Sequence, residues 1–140
     1  MKVLQPPGWM RPSGYANGIA ASGIIVFVAG QVGWNARGEF ETDDLVEQVR
    51  QALTNVKTVL AEAGATPQHI TRLTWYVIDK REYLARRREI GVVFRELFGS
   101  YQAAMTAVQV SALLDERAKV EIEATAVVEQ RIQESKGVRS

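Results

Sequence analysis

The chain has 140 residues, of which 46% are hydrophobic, which suits one domain with its own core and excludes dependence on disulfides or metals. Its 17 basic and 16 acidic residues give a formal net charge of +1, which excludes a broad field attracting nucleic acid or anionic lipid. There is no cysteine and one histidine, His69, which excludes thiol nucleophiles and multi-histidine metal sites.

The N-terminal segment is rich in proline and glycine. Residues 5–18, QPPGWMRPSGYANG, predict an irregular arm over residues 1–18 with extended pieces. The apolar run Gly23 to Gly30 is β-branched and aromatic, which predicts a strand buried on both faces. This run is much shorter than the roughly 20 residues of a membrane-spanning helix, and no secretory pattern precedes it. We therefore expect a soluble, cytoplasmic protein without a membrane partner.

The rest of the chain alternates between two periodicities. Helical spacing of apolar residues predicts one helix over residues 43–64, capped by Asp43 or Asp44, and another over 81–98. Alternating residues predict strands at 69–79, 103–111 and 118–128. The polar residues 129–140 predict a flexible tail.

This order of elements predicts a single α+β domain over residues 1–128, with two helices on one face of a mixed sheet. Two helices cover only one face, so we expect the other to be buried against further copies of the chain. Alternation along the last strand places Glu121 and Glu123 on that second face. We expect Met105, Ala107 and Gln109 to lie beside them.

Glu121 and Glu123 are candidates for acid and base chemistry. Their spacing puts two carboxylates on one face of a strand, and a carboxyl group in a partly desolvated cleft can carry protons near neutral pH. The alternative is a pair of exposed or salt-bridged edge glutamates, for which Arg117 and Lys119 are candidate partners.

Other polar residues have structural explanations. His69 follows ATPQ and is expected at a surface turn. The run Arg86 to Arg88 is typical of a solvated helix face, with anion contact as the alternative. Trp34 could line a pocket or belong to the core. The chain has no phosphate loop, metal motif or dinucleotide fingerprint, so neither a metal nor a cofactor is expected.

Four segments of the chain form a recognisable combination in their order and spacing: GYANGI (14–19), VFVAGQVGWNARGEF (26–40), QVRQALTNVKTVLAEAGA (48–65) and VQVSALLDERAKVEIEATAVV (108–128). Together they resemble the RidA/YjgF family of small imine and enamine deaminases. The resemblance implies a chorismate-mutase-like fold and a homotrimer whose sheets form a central barrel, with three small-molecule sites between subunits. It also implies cofactor-free hydrolysis of reactive imines or enamines to a carbonyl compound and ammonia.

The resemblance assigns roles to individual residues. Tyr15 matches a tyrosine at the entrance of the family's site, Gly30 the glycine of its Ser-Gly-Gln turn, and Glu121 the glutamate that positions or activates water. Other positions depart from the family. The serine of the turn is Ala29, and the substrate-binding arginine is Met105. Two further departures are Ala107 in place of a cysteine and Ala103 in place of a proline.

Methionine cannot reproduce the bidentate pair that arginine forms with a substrate carboxylate. Two explanations stay open: Arg87, on the second helix, supplies a displaced cation, or Met105, Ala107 and Ala29 suit a more apolar substrate, with Trp34 shaping the pocket. We therefore expect a diverged hydrolase whose substrate lacks the usual α-carboxylate. The alternative is a non-catalytic trimeric binding or regulatory protein. Nucleic acid is not an expected partner, because the chain is nearly neutral and has no histidine pair for RNA cleavage.

Overall fold

The computed structural model describes residues 1–129, so all but the first residue of the predicted tail lies outside the described residues. None of the helices in this part of the chain is both long and apolar enough to cross a membrane. The elements in chain order are β1 (Lys2–Leu4), β2 (Gly18–Ala20), β3 (Ile24–Val32), α1 (Leu45–Glu62), a 3-10 helix (Pro67–His69), β4 (Ile70–Val77), α2 (Lys80–Ala85), α3 (Arg87–Phe98), β5 (Ala104–Gln109) and β6 (Val120–Val128).

The main sheet has four strands in the order β3-β6-β4-β5. β6 is antiparallel to β3 and β4, whereas β5 is parallel to β4. The predicted single α+β domain with a mixed sheet is therefore confirmed. The N-terminal arm is more regular than predicted, because β1 and β2 pair in a separate two-stranded antiparallel sheet.

The core lies between the main sheet and the helices. Leu73, Trp75 and Val77 of β4 alternate toward it and are at most 3% exposed. Helical spacing in α1 brings Val49 and Leu53 onto the same side, where both are fully buried. The residues of β6 that alternate with Glu121 and Glu123 are also buried, namely Val120, Ile122, Ala124 and Ala126.

The register of β5 corrects one prediction. In its parallel pair with β4, Met105 lies beside Leu73 and Ala107 beside Trp75, and paired residues point to the same face. Both side chains therefore lie on the helix side, whereas Glu121 lies on the opposite side. The prediction that they share a face with Glu121 is wrong, because alternation within β5 does not determine its register against β4. The residues placed on the helix side by this register are Met105, Ala107 and Gln109.

The opposite face of the main sheet is uncovered within one chain. Ile25 and Phe27 are 55% and 76% exposed, and Val108 is 41% exposed. The strand predicted to be buried on both faces is therefore buried on one face only within the single chain. We call this surface the open face and define it by Ile25, Phe27, Tyr76, Val108, Glu121 and Glu123.

The second predicted helix is divided at Arg86 into α2 and α3. The backbone of Arg86 leaves the helical region, with φ −105° and ψ 14°. Its guanidinium is held by Asp44 at 3.0 Å and by Glu89 at 2.6 Å. Neither proline nor glycine marks this break, so periodicity alone predicted one continuous helix.

Asp44 caps α1 and joins it to the break between α2 and α3. Its carboxylate accepts the Glu47 N–H at 3.1 Å, and the hydrogen bond from Arg86 is the largest cause that lowers the pKa of Asp44 below 3.8. We expect Asp44→Ala to lower the free energy of unfolding by about 1 kcal/mol near neutral pH. A lowered folded pKa gives stability that is present above the unfolded value and lost as pH falls through the folded value.

Urea denaturation of wild type and Asp44→Ala between pH 7 and pH 2.5 checks this prediction. The difference between the two proteins should hold down to about pH 5 and shrink at lower pH. Asp44→Asn keeps the cap without the charge and should lie between them. A difference that grows on acidification would contradict the assignment.

Candidate functional site

A cavity of about 430 Å³ lies between α3, the β4 and β5 strands and the N-terminal arm. Trp75, Met105 and Ala107 contribute its sheet side, and Tyr15 contributes from the arm. Met105 also packs against the buried core. The remaining lining residues are Ser13, Gly14, Tyr83, Arg87, Ile90, Gly91, Phe94, Arg95, Ser100, Tyr101 and Gln102.

Backbone pairing places Tyr15 at this cavity. The Ala16 N–H donates to the Ala103 carbonyl at 2.9 Å, and Ala16 forms a parallel bridge with Ala104. The arm is thereby fixed beside the start of β5, one residue from Met105. Tyr101 lies in the same wall, where its hydroxyl donates to the Ile70 carbonyl at 2.6 Å and burial raises its pKa.

The helix side of the cavity carries positive charge. Arg87, Gly91 and Arg95 recur every four residues of α3 and therefore lie along one side of the helix. Burial raises the pKa of Tyr83, and the positive charge of Arg87 partly opposes this rise. The sequence had named Arg87 as a candidate binding residue, but not Gly91 or Arg95. Their four-residue spacing from Arg87 could have indicated that all three lie on the same helix face.

An aromatic cluster forms the inner wall. The rings of Tyr83 and Phe94 each have their centroid 6.3 Å from that of Trp75. The Trp75 side chain is 2% exposed, and its Nε1–H has no hydrogen-bond acceptor within residues 1–129. A buried donor without an acceptor costs free energy. Hydrogen bonding by the indole N–H therefore does not explain why tryptophan occupies position 75.

Glu121 and Gly30 form a second group, on the open face. The β3 strand is irregular between Val28 and Gln31 in its pairing with β6, and this irregularity brings Gly30 against the Glu121 side chain. A Cβ atom at Gly30 would overlap Oε2 of Glu121. Glycine is therefore needed for the carboxylate to lie over the backbone. The Glu121 carboxylate is half-buried and has no hydrogen bond or ion pair with any residue in the range 1–129.

Glu123 has a structural partner. The Tyr76 hydroxyl donates to its Oε2 at 2.9 Å, and this hydrogen bond is the largest cause that raises the pKa of Tyr76. The structural alternative for the glutamate pair had named two basic partners. The structure contradicts these two partners, because Arg117 pairs with Asp43 at 2.8 Å and Lys119 with Glu82 at 3.4 Å.

Two other candidates lie apart from the cavity. Trp34 does not line it, but packs on Phe40 at 6.2 Å beyond the end of β3. His69 ends the 3-10 helix, where its Nδ1 accepts the Thr66 N–H at 2.9 Å. This hydrogen bond agrees with the predicted turn position.

The structure therefore divides the candidate residues into two half-sites. The cavity half-site contains Tyr15, Arg87, Met105 and Ala107 on the helix side of the sheet. The glutamate half-site contains Gly30 and Glu121, with Ala29 preceding the glycine, and lies at the open face. Within residues 1–129, no group of three or more histidine and acidic side chains is placed to hold a metal ion.

Comparison with known proteins gives consistent matches. The family model described as Endoribonuclease L-PSP matches residues 10–128. A RutC family protein of Pyrococcus horikoshii is 33% identical over 85% of this chain and 91% of its own length. The 2-iminobutanoate/2-iminopropanoate deaminase of Dermatophagoides farinae is 30% identical over 91% of this chain and 97% of its own.

Solved structures give the same result. A protein of the conserved Rid family from Yersinia pestis superposes with a TM-score of 0.80 at 37% identity, covering 91% of this chain and 98% of that one. Escherichia coli TdcF with bound serine gives a TM-score of 0.66 at 28% identity, covering 92% and 100%. The family match, the related sequences and the shared fold show that the chain belongs to the RidA/YjgF family.

Proposed function

We propose that the protein hydrolyses a reactive imine or enamine to a carbonyl compound and ammonia. Relatives named as 2-iminobutanoate/2-iminopropanoate deaminase and reactive intermediate deaminase support this reaction class. The observation that carries the proposal is the Glu121 carboxylate, which lies over Gly30 and has no partner among residues 1–129. A carboxylate that is not committed to an ion pair is free to accept a proton from water.

The proposed reaction uses water and a single residue that transfers protons. Glu121 takes a proton from water as the water oxygen bonds to the imine carbon, the C=N π electrons move to nitrogen, and Glu121 passes this proton to that nitrogen. In the collapse of the adduct, Glu121 takes the hydroxyl proton and delivers it to the nitrogen, while the C–N bond breaks, C=O forms and ammonia leaves. An enamine first takes a proton on carbon and loses one from nitrogen to become the imine. Backbone donors around Gly30 stabilise the charge that develops in the adduct.

We propose that the substrate lacks the α-carboxylate used by the family's amino-acid-derived imines. By the resemblance in sequence, Met105 matches the position of the family's arginine, and it contributes to the apolar part of the cavity. A thioether gives a carboxylate neither charge nor hydrogen-bond donors. Ala107 lies on the same sheet side of the cavity and also provides no polar group. The reacting end of the substrate therefore meets an apolar surface.

We also propose that the complete site forms between subunits of a homotrimer. The two half-sites lie on opposite faces of one sheet, so Glu121 reaches a substrate in the cavity most directly when they belong to neighbouring subunits. The exposed Ile25, Phe27 and Val108 on the open face supply apolar area for such contacts. Closed cyclic symmetry repeats the same pairing of half-sites around the assembly.

A second candidate function is a trimeric small-molecule-binding protein without catalysis. Methionine at position 105, in place of the arginine, favours this second function. The loss of a substrate contact is as consistent with a loss of turnover as with a change of specificity. An endoribonuclease has less support. His69 is the single histidine of the chain, and its Nδ1 is already hydrogen-bonded to the Thr66 backbone.

Ammonia release from a panel of imines and enamines tests the proposal. The substrates are generated in situ by amino-acid oxidase or lyase reactions and by condensation of amines with aldehydes, in matched forms with and without an α-carboxylate. We expect ammonia to appear faster than in the enzyme-free control, and faster with the forms that lack the carboxylate. Ligand binding without release across the panel would support the binding protein instead.

A further inference from the structure

The cavity holds two guanidinium groups without anionic partners. Arg87 and Arg95 both line it, and neither forms an ion pair with a residue in the range 1–129. The acidic side chains nearest to them in α3 are already engaged: Glu89 pairs with Arg86 at 2.6 Å, and Glu96 pairs with Arg50 at 2.9 Å. The cavity is therefore positively charged, and its own helix supplies no counter-charge.

Among residues 1–129, no aspartate or glutamate lines the cavity. Its remaining polar groups are hydroxyl and amide groups. The other lining side chains include aromatic and aliphatic groups, among them Phe94 on α3 and Met105 on β5. An apolar floor with a cationic rim fits a ligand that has an apolar body and an anionic group at one end.

Gly91 brings the two guanidinium groups toward one position. Arg87 and Arg95 are two turns apart, about 12 Å along the helix axis. An added Cβ at Gly91, midway between them, would lie 3.3 Å from Nη1 of Arg95. The Arg95 side chain therefore folds back over Gly91 toward Arg87. A residue larger than alanine at position 91 would push it away from this position.

We propose that the cavity binds amphipathic organic anions, with the anionic group held by Arg95 and Arg87 above Gly91 and the apolar body on the floor around Met105. This inference rests on the proposed function where it specifies the substrate: an imine or enamine whose acidic group lies away from the reacting carbon. The site differs from the family's carboxylate contact, because both cations come from α3 and not from the position of Met105.

Calorimetric titration with 3-phenylpropanoate and its uncharged amide, 3-phenylpropanamide, tests the inference without requiring turnover. We expect wild type to bind the carboxylate about tenfold more tightly than the amide, with a preference that weakens in high salt. Arg95→Gln and Arg87→Gln should each weaken carboxylate binding by about three- to tenfold and leave amide binding unchanged.

Two further variants separate this site from a general effect of charge or folding. Arg88→Gln makes the same charge change on the same helix outside the cavity and should leave binding unchanged. Gly91→Ala favours the helix and requires Nη1 of Arg95 to move by only a few tenths of an ångström, so it should raise the melting temperature and leave carboxylate binding nearly unchanged. Thermal denaturation of each variant shows whether it folds.

Several results would overturn the inference: equal affinity for the two probes, no binding of either at millimolar concentration, or an effect of Arg88→Gln as large as that of Arg95→Gln. Its failure is distinguishable from that of the proposed function. Ammonia release by a protein indifferent to ligand charge contradicts the anion site alone. Arginine-dependent binding without ammonia release from any imine contradicts the proposed function alone.

Discussion

Replacement of Glu121 by glutamine is expected to lower turnover of the best imine or enamine by a factor of about a hundred or more. The amide keeps the size of the side chain and its place over Gly30, but cannot accept a proton from water near neutral pH. Substrate binding should change little, because glutamine has the size of glutamate and the residues that line the cavity are unchanged. The loss should therefore appear in kcat rather than in KM.

Glu123→Gln is the matched control. It makes the same change two residues away on the same face, where the carboxylate accepts a hydrogen bond from Tyr76. The amide oxygen can still accept this bond, so turnover should stay within about threefold of wild type. Full turnover by Glu121→Gln would remove Glu121 from the mechanism.

Replacement of Gln48 by leucine is expected to lower the free energy of unfolding by about 3 kcal/mol. Gln48 is fully buried, and its amide joins three backbone groups. Its Nε2 donates to the carbonyls of Thr42 and Arg117 at 3.1 and 3.0 Å, and its Oε1 accepts the Lys119 N–H at 2.8 Å. Leucine has a similar volume but leaves these three groups without their partner.

The same substitution should also reduce activity, because Gln48 supports the glutamate half-site. Lys119 lies two residues before Glu121, and an added Cβ at Gly33 would lie 2.7 Å from Cβ of Gln48. Gln51→Leu is the control, since its amide donates only to the Asn55 side chain. Urea denaturation checks both variants. A loss of less than 1 kcal/mol in Gln48→Leu would contradict the role assigned to these bonds.

Local sequence patterns predicted most of the secondary structure. Alternation predicted the strand at 69–79, and its alternating residues Leu73, Trp75 and Val77 are all buried in β4. Periodicity also located α1, and the structure selects Asp44 from the two predicted cap residues, Asp43 and Asp44. These predictions succeed because each depends on neighbours a few residues away in the chain. The break at Arg86 was missed because it involves Asp44, which lies 42 residues away.

The face of Met105 could not be predicted in the same way. Alternation shows that Met105 and Ala107 share a face, but the face is decided by the parallel pairing of β5 with β4. A shift of one residue in that register would turn both side chains to the other side of the sheet. Arg95 illustrates a related limit, because its spacing from Arg87 is visible in the sequence but the cavity it lines is formed by three separate parts of the chain.

One chain contains the residues of both half-sites but does not bring them together into a single site. Tyr15 and Met105 belong to the cavity, whereas Gly30 and Glu121 belong to the open face. On our proposal, each catalytic centre combines the cavity of one subunit with the glutamate of the next. This arrangement makes activity a property of the assembled trimer.

Complementation between two inactive variants tests this central claim most directly. Glu121→Gln removes the glutamate half-site, and Ala107→Phe fills the cavity half-site, so each protein alone should release ammonia at a small fraction of the wild-type rate. The two chains are co-expressed with different tags, purified through both tags, and assayed with the best substrate of the panel. Random assembly of the two chains gives two intact half-sites in about a quarter of all subunit pairs, and in about one pair of three within each mixed trimer, which purification through both tags selects. We expect the purified mixed trimers to recover about a third of the wild-type activity. Activity no higher than the sum of the two separate variants would contradict it.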